Sequence, residues 1–292
     1  MNEVQTLSKH IRSTIIIILT VVLILNIECV ISGIHNALKL CANSVIPSLF
    51  MFMVLSEIIL SILLSENAIF FSPKMTAYII GSLCGFPTGA CICEKLSHNG
   101  IISEKDASKI LPFCNNASPA FVIGAVGISI LGNENLGWII YISQFLSSAI
   151  PLLFINTSCS IKTFNHIALS VKNVFFSSIE KAVYNILKIC AIICIFSAFL
   201  EILKKMSLSY MAILLEISNG ISFCSQTFHN STALTISLCS FCCSFSGICV
   251  HLQIKSMLKR IDIRYTYLFV CKFLQGILSF LFSWLFCFIL DI

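Results

Sequence analysis

Charge is what this chain has least of. Only 11% of its 292 residues are Asp, Glu, Lys or Arg, about half the fraction of an ordinary soluble domain. With 58% hydrophobic residues and a mean hydropathy of +0.98, it cannot clothe a surface that faces water. Nucleic-acid binding is excluded, because no basic stripe is interleaved with aromatics. Metal spacings are missing as well. Cys91 and Cys93 form C-x-C, and Cys242 and Cys243 are adjacent, without His partners at zinc-ligand spacing. Most of the 16 cysteines sit in apolar runs, where they act as small, soft hydrophobes rather than a disulfide framework. No nucleophile–base pair stands out, so the chain does not read as an enzyme and no cofactor is expected.

What it has in quantity is apolar sequence. The runs 15–33, 45–64, 136–156, 183–203 and 265–290 each approach or exceed the roughly 20 residues that cross a hydrocarbon core as a helix. Shorter or interrupted stretches lie at 76–93, 115–132, 208–223 and 232–250. The expected fold is an all-α polytopic membrane protein with about seven to nine hydrophobic segments, some interrupted or re-entrant. The first run follows Lys9 and Arg12. It is too long for a signal peptide and lacks a clean cleavage site, so it reads as an uncleaved first span.

Basic residues set the orientation. Lys255, Lys259, Arg260 and Arg264 face a single Asp262, and Lys162, Lys172 and Lys181 mark a polar stretch. Both loops prefer the cytoplasmic side. Three segments lie between them, so one must fail to cross, and 208–223 is the natural re-entrant segment. The polar stretch 158–181 reads as a linker between two membrane halves, 1–157 and 182–292. Cys84-Gly-Phe-Pro-Thr-Gly-Ala-Cys91 in the first half resembles Cys243-Ser-Phe-Ser-Gly-Ile-Cys249 in the second, with one residue deleted. Glu57 and Glu216 each precede their half's motif. Paired interruptions in two halves point to a transporter site.

The interruptions have a physical reading. In hydrocarbon, backbone groups without helical partners cost several kcal/mol each, so breaks survive only inside protein or beside a watery cavity. Pro87 lacks an N–H and holds Phe86 extended, while Gly85 and Gly89 permit tight turns. Thr88 is expected to cap the helix that restarts towards Glu94. Downstream, Pro112 and Pro119 bracket Asn115, Asn116 and Ser118. Asn116 or Ser118 can cap a helix beginning near Pro119. Helix N-termini carry free N–H groups that suit an anion. Between the two breaks, Ser103 with Glu104 and Asp106 signals a short amphipathic helix, placed at the membrane interface.

These residues resemble a known family. "GFPTGACICEKL" and "LPFCNNASPAF", followed by "LEISNGI" and "SFSGICVHLQ", are similar to the sporulation integral membrane proteins of the YlbJ type. That group is allied to nucleoside-recognition or Gate-domain proteins and to the core of concentrative nucleoside transporters. The resemblance implies a multi-pass protein of the outer forespore membrane that moves dipicolinic acid, a small anion, into the forespore. Its implied partners are that solute, the lipid bilayer and other sporulation membrane proteins. Its implied substrate-binding or pathway residues are Gly85, Pro87, Thr88, Gly89, Asn115, Asn116, Ser118, Pro119, Glu216, Asn219, Gly220, Gly247, His251 and Gln253. Two departures bear on the substrate. Cys91 stands where a basic residue is expected, and Ser246-Gly247 where Gly-Gly is expected.

Each of these residues has a blander role available. Glu57 and Glu216, in apolar segments, must face the bundle interior, either for proton coupling or for an internal bond. Lys188 and Lys272 are expected to reach the interface along their own stems. Gly124 and Gly127 suit close helix packing, and His229 and Asn230 a solvated loop. A transporter predicts a solvated cavity lined by the two broken motifs. A structural or regulatory membrane protein predicts motif residues that pair with one another. A neutral, nucleoside-like solute fits the amide-rich motifs as well as an anion does.

Overall fold

A computed structural model describes residues 2–65, 72–157 and 171–292. Among the described residues every regular element is helical. The order is α1 (Asn2–Leu25), α2 (Ile27–Leu40), a π-helical turn (Cys41–Val45), α3 (Ile46–Ser65), α4 (Pro73–Cys84), α5 (Thr88–His98) and α6 (Glu104–Cys114). A π-helical stretch (Ala120–Ile130), α7 (Glu134–Leu153), α8 (Val171–Lys205), a 3-10 turn (Ser209–Met211) and α9 (Ala212–Leu215) come next. The chain then forms α10 (Ile217–Thr227), α11 (Thr232–Phe245), α12 (Gly247–Met257) and α13 (Tyr265–Leu290).

Five stretches are long and apolar enough to cross a membrane: Ile27–Ile59, Glu134–Leu153, Asn173–Lys205, Thr232–Met257 and Tyr265–Leu290. This is an all-α membrane protein. The expected first span, 15–33, is divided instead. The backbone bends at Asn26 (φ −119°, ψ 36°), and α2 runs through the π-helical turn into α3 as one apolar rod. The other apolar segments are short pieces on either side of backbone breaks. Of the expected linker 158–181, residues 158–170, including Lys162, lie outside the described residues, and the remainder opens α8.

Local chemistry explains the helix starts. Ser103 accepts the Asp106 N–H (3.0 Å) and begins α6, as its sequence predicts. Asn133 accepts the Asn135 N–H (2.9 Å) at the start of α7. Gly127 packs against Gly137 of α7, where a Cβ would lie 2.8 Å from the Gly137 Cα. Gly124 faces open space instead.

Two apolar clusters form. The larger joins α4–α7 to α10–α13 through Tyr78, Leu96, Ile110, Ile140, Ile236 and Leu268. The smaller joins α2, α3 and α8 through Ala37, Leu49, Met53, Ile186 and Ile193, with Cys249 of α12 against it. Outward faces carry exposed apolar side chains such as Ile16, Leu25, Leu187, Leu274 and Phe288, as lipid contact requires.

Candidate functional site

The first motif pair forms a crossing of two interrupted helices. α4 stops at Gly85 (φ +84°), the Phe86–Pro87 peptide is cis, and α5 restarts at Thr88. α6 stops at Asn115 (φ −109°, ψ 86°), and the chain turns helical again after Pro119. The two backbones touch. A Cβ on Gly81 or Gly89 would lie 2.0 Å from the Cys114 carbonyl oxygen, and one on Gly85 would lie 2.9 Å from the Ser118 Cβ. Ser118 caps the restart by accepting the Phe121 N–H (3.2 Å). Thr88 does not cap α5. Pro87 holds the capping position, so Thr88 is already helical, and its buried hydroxyl has no partner among the described residues.

Neighbouring helices supply what the second break has lost. Gln144 of α7 donates to the Ala117 carbonyl (2.9 Å) and accepts the Ala117 N–H (3.3 Å), replacing a backbone pair with one side-chain amide. Lys272 of α13 donates to the Asn115 carbonyl (3.0 Å). The Asn115 side-chain oxygen accepts the Ala90 N–H (3.3 Å) at the start of α5. Asn116 donates to Ser82 (3.0 Å), Ser148 (3.1 Å) and the Phe113 carbonyl (2.9 Å), and accepts from Gln275 (2.8 Å). Lys272 is completely buried, so it does not reach the interface as expected. The polar face of α13 holds it inward. By contrast, Lys188 is half-buried, with its ammonium over the Tyr184 ring and donating to the Ser256 carbonyl (3.4 Å).

The second motif pair forms a second crossing. α9 stops at Glu216, which is extended (φ −146°, ψ 127°). α11 stops at Ser246 (φ +70°) and Gly247 (φ +72°). A Cβ on Gly247 would lie 3.0 Å from the Leu215 carbonyl oxygen, and one on Gly220 3.0 Å from that of Ala212. The Glu216 carboxylate accepts the Ser218 N–H (3.1 Å), the Asn219 N–H (2.8 Å) and the Asn219 amide (2.7 Å). It therefore caps the α10 N-terminus with a negative charge of the chain's own. His251 of α12 has Nε2 at 2.9 Å from the Phe245 carbonyl at the end of α11 and its ring among Phe245, Phe269 and Tyr265.

Two stretches of the chain share one element order. Each runs from a break through a helical hairpin to a second break and then a long helix: α4, α5–α6, the π-helical stretch and α7, then α9, α10–α11, α12 and α13. In this order Glu216 stands where Gly85–Pro87 stands, whereas the short Cys84/Cys243 match sets Gly85–Pro87 beside Ser246. Glu57 lies outside both stretches. It lies within α3 and pairs with Lys95 of α5 and, at 3.7 Å, with Lys181 of α8.

Two cavities lie where the larger cluster meets the smaller. One of about 20 Å³ is lined by Phe86, Ser118 and Phe121 of the first crossing, Glu216 and Gln253 of the second, and Leu49 and Ile193 of α3 and α8. It has room for about one water. Gln253 is buried there, and its amide oxygen has no partner among the described residues. A wider cleft of about 260 Å³ is lined by Asn36 of α2, Ser197 and Glu201 of α8, and Asn219 and Ser222 of α10. Ser218 borders both, and neither lining includes Lys or Arg. Of the residues read from sequence, Ser118, Glu216, Asn219 and Gln253 face this space. The remainder, His251 apart, build the crossings behind it.

Helices unwound in crossing pairs at the centre of an apolar bundle define a polytopic membrane protein with irregular backbone at its core. The chain is similar to the sporulation integral membrane protein YlbJ of Bacillus subtilis (strain 168). The two are 23% identical over 292 aligned positions, which cover 80% of this chain and 71% of YlbJ. The YlbJ-type resemblance carried by the motifs is thereby borne out. No family model matches the chain, and no solved structure matches it.

Proposed function

We propose that this protein is a transporter of spore formation, and not an enzyme, and that it carries a small polar solute along the boundary between its two apolar clusters. The observation behind this reading is the pair of helix crossings that converge on one small cavity, with the unpaired amide oxygen of Gln253 at its wall. Transporters built from two related halves place their solute where interrupted helices meet, and the matching order of breaks in the two halves supports a core of the concentrative nucleoside transporter kind. On this reading the narrow cavity beside the wider cleft is the closed form of the pathway, which a relative movement of the clusters would open.

YlbJ is named for sporulation; with the motif resemblance this supports reading the outer forespore membrane as the place of work, with dipicolinic acid as the first solute to test. The lining refines that choice. Glu216 and Glu201 are present and no basic side chain is, so a dicarboxylate would enter in protonated form and a neutral nucleoside would enter as readily. A structural role in spore assembly is the second reading. It is favoured by Asn116, whose donors and acceptor are all used inside the protein.

Uptake of labelled dipicolinate and labelled uridine into proteoliposomes tests the proposal, with Gln253→Leu and Ser218→Val beside the parent. Saturable uptake of one solute, reduced at least tenfold in both variants, is the expected result. An acidic exterior should speed dipicolinate entry. Uptake of neither solute from a monodisperse sample would favour the structural role.

A further inference from the structure

Lys272 sits within α13 with no exposed surface. Its ammonium donates to two neutral oxygens, the Asn115 carbonyl and the Gln275 side-chain oxygen, both at 3.0 Å. Among the described residues no carboxylate pairs with it. A buried ammonium without a counter-ion is costly unless fixed dipoles replace its hydration. Here a broken helix supplies one of those dipoles, because the Asn115 carbonyl lies where α6 has ended and lacks a helical donor. Carbonyl and amide oxygens around a desolvated positive charge are the ligands that hard monovalent cations also take.

We propose that Lys272 is a tethered cation: its ammonium fills a monovalent-cation site at the first crossing, and the protein carries that cation as part of its own chain. The surrounding hydrogen bonds have the polarity this demands. Because the Gln275 oxygen faces Lys272, its NH₂ faces the Asn116 oxygen, and the Asn116 NH₂ then faces Ser82, Ser148 and the Phe113 carbonyl. A positive charge at the head of the chain orients every amide behind it. A neutral side chain removes that orientation, whereas a free cation of similar size restores it. This role of Lys272 stands apart from the identity of the solute, and its test does not measure transport.

Lys272→Ala opens the site, and Lys272→Gln fills most of it without charge. Each variant and the parent are melted in detergent in sodium, methylammonium and N-methylglucamine chlorides. The parent should melt alike in all three salts. Both variants should melt several degrees lower in N-methylglucamine, and Lys272→Ala should recover most of that loss, saturably, in sodium or methylammonium. Lys272→Gln should not recover. A Lys272→Ala protein that melts alike in the three salts, or that cannot be purified even in methylammonium, overturns the assignment. A Lys272→Gln protein as stable as the parent overturns it too.

Discussion

A methyl group decides whether the first crossing can form. A Cβ on Gly89 would meet the Cys114 carbonyl oxygen at 2.0 Å, whereas one on Gly124 meets nothing within 4 Å. Gly89→Ala should therefore abolish a monodisperse preparation, and Gly124→Ala should melt within a degree or two of the parent. Asn116 presents a different problem, since its four hydrogen bonds are internal. Truncation to Ala leaves several buried partners unpaired at about 1–3 kcal/mol each. Asn116→Ala should thus lower thermal stability sharply, and lost uptake in that variant would not locate a binding site. Glu216 closes two backbone N–H groups of α10. Glu216→Gln keeps one acceptor, and Glu216→Ala keeps none. Their melting temperatures should fall in that order, with the Ala variant losing roughly 2 kcal/mol or more. Equal melting of the two variants would mean that the carboxylate does not cap the helix.

At the scale of elements, some of the site was legible and some was not. Gly85, Pro87, Asn115 and Pro119 announced two breaks because Gly and Pro are local signals, effective whatever lies around them. The helix start at Ser103 was legible for the same reason. Glu216 was visible as an acid in an apolar run but not as a break, since nothing local forces its extended backbone. Lys272 and Gln275 were overlooked as site residues. Their signal was present: Lys272, Gln275, Ser279 and Ser283 recur at helical spacing along α13 and are all buried, a polar stripe turned inward. Glu57 is an element-level brace, joining α3 to Lys95 of α5 and Lys181 of α8. The exposed Lys181 contributes little. A double-mutant cycle on Glu57 and Lys95 should give a coupling of roughly 0.5–3 kcal/mol in melting experiments, and additive single effects would rule the brace out.

At the scale of the molecule, the smaller cluster of α2, α3 and α8 is a wall against which the two crossings stand. Helix α1 takes little part in it. Its described side chains from Ser13 to Leu25 are almost all exposed, as expected of a helix that meets lipid. A chain starting at Ile27 should therefore keep the parent's melting temperature in detergent, and a large loss would show that α1 supports the bundle. The sequence by itself determined the class, because charge scarcity and apolar length bear on every residue and need no partner. It also determined where the helices of the first half break. Tertiary structure alone decided which break crosses which, that Gln144 and Lys272 satisfy the exposed backbone, and that Glu216 caps α10 rather than leaving its N-terminus for an anion. Those outcomes depend on groups drawn together from distant parts of the chain, and no local pattern encodes such distances.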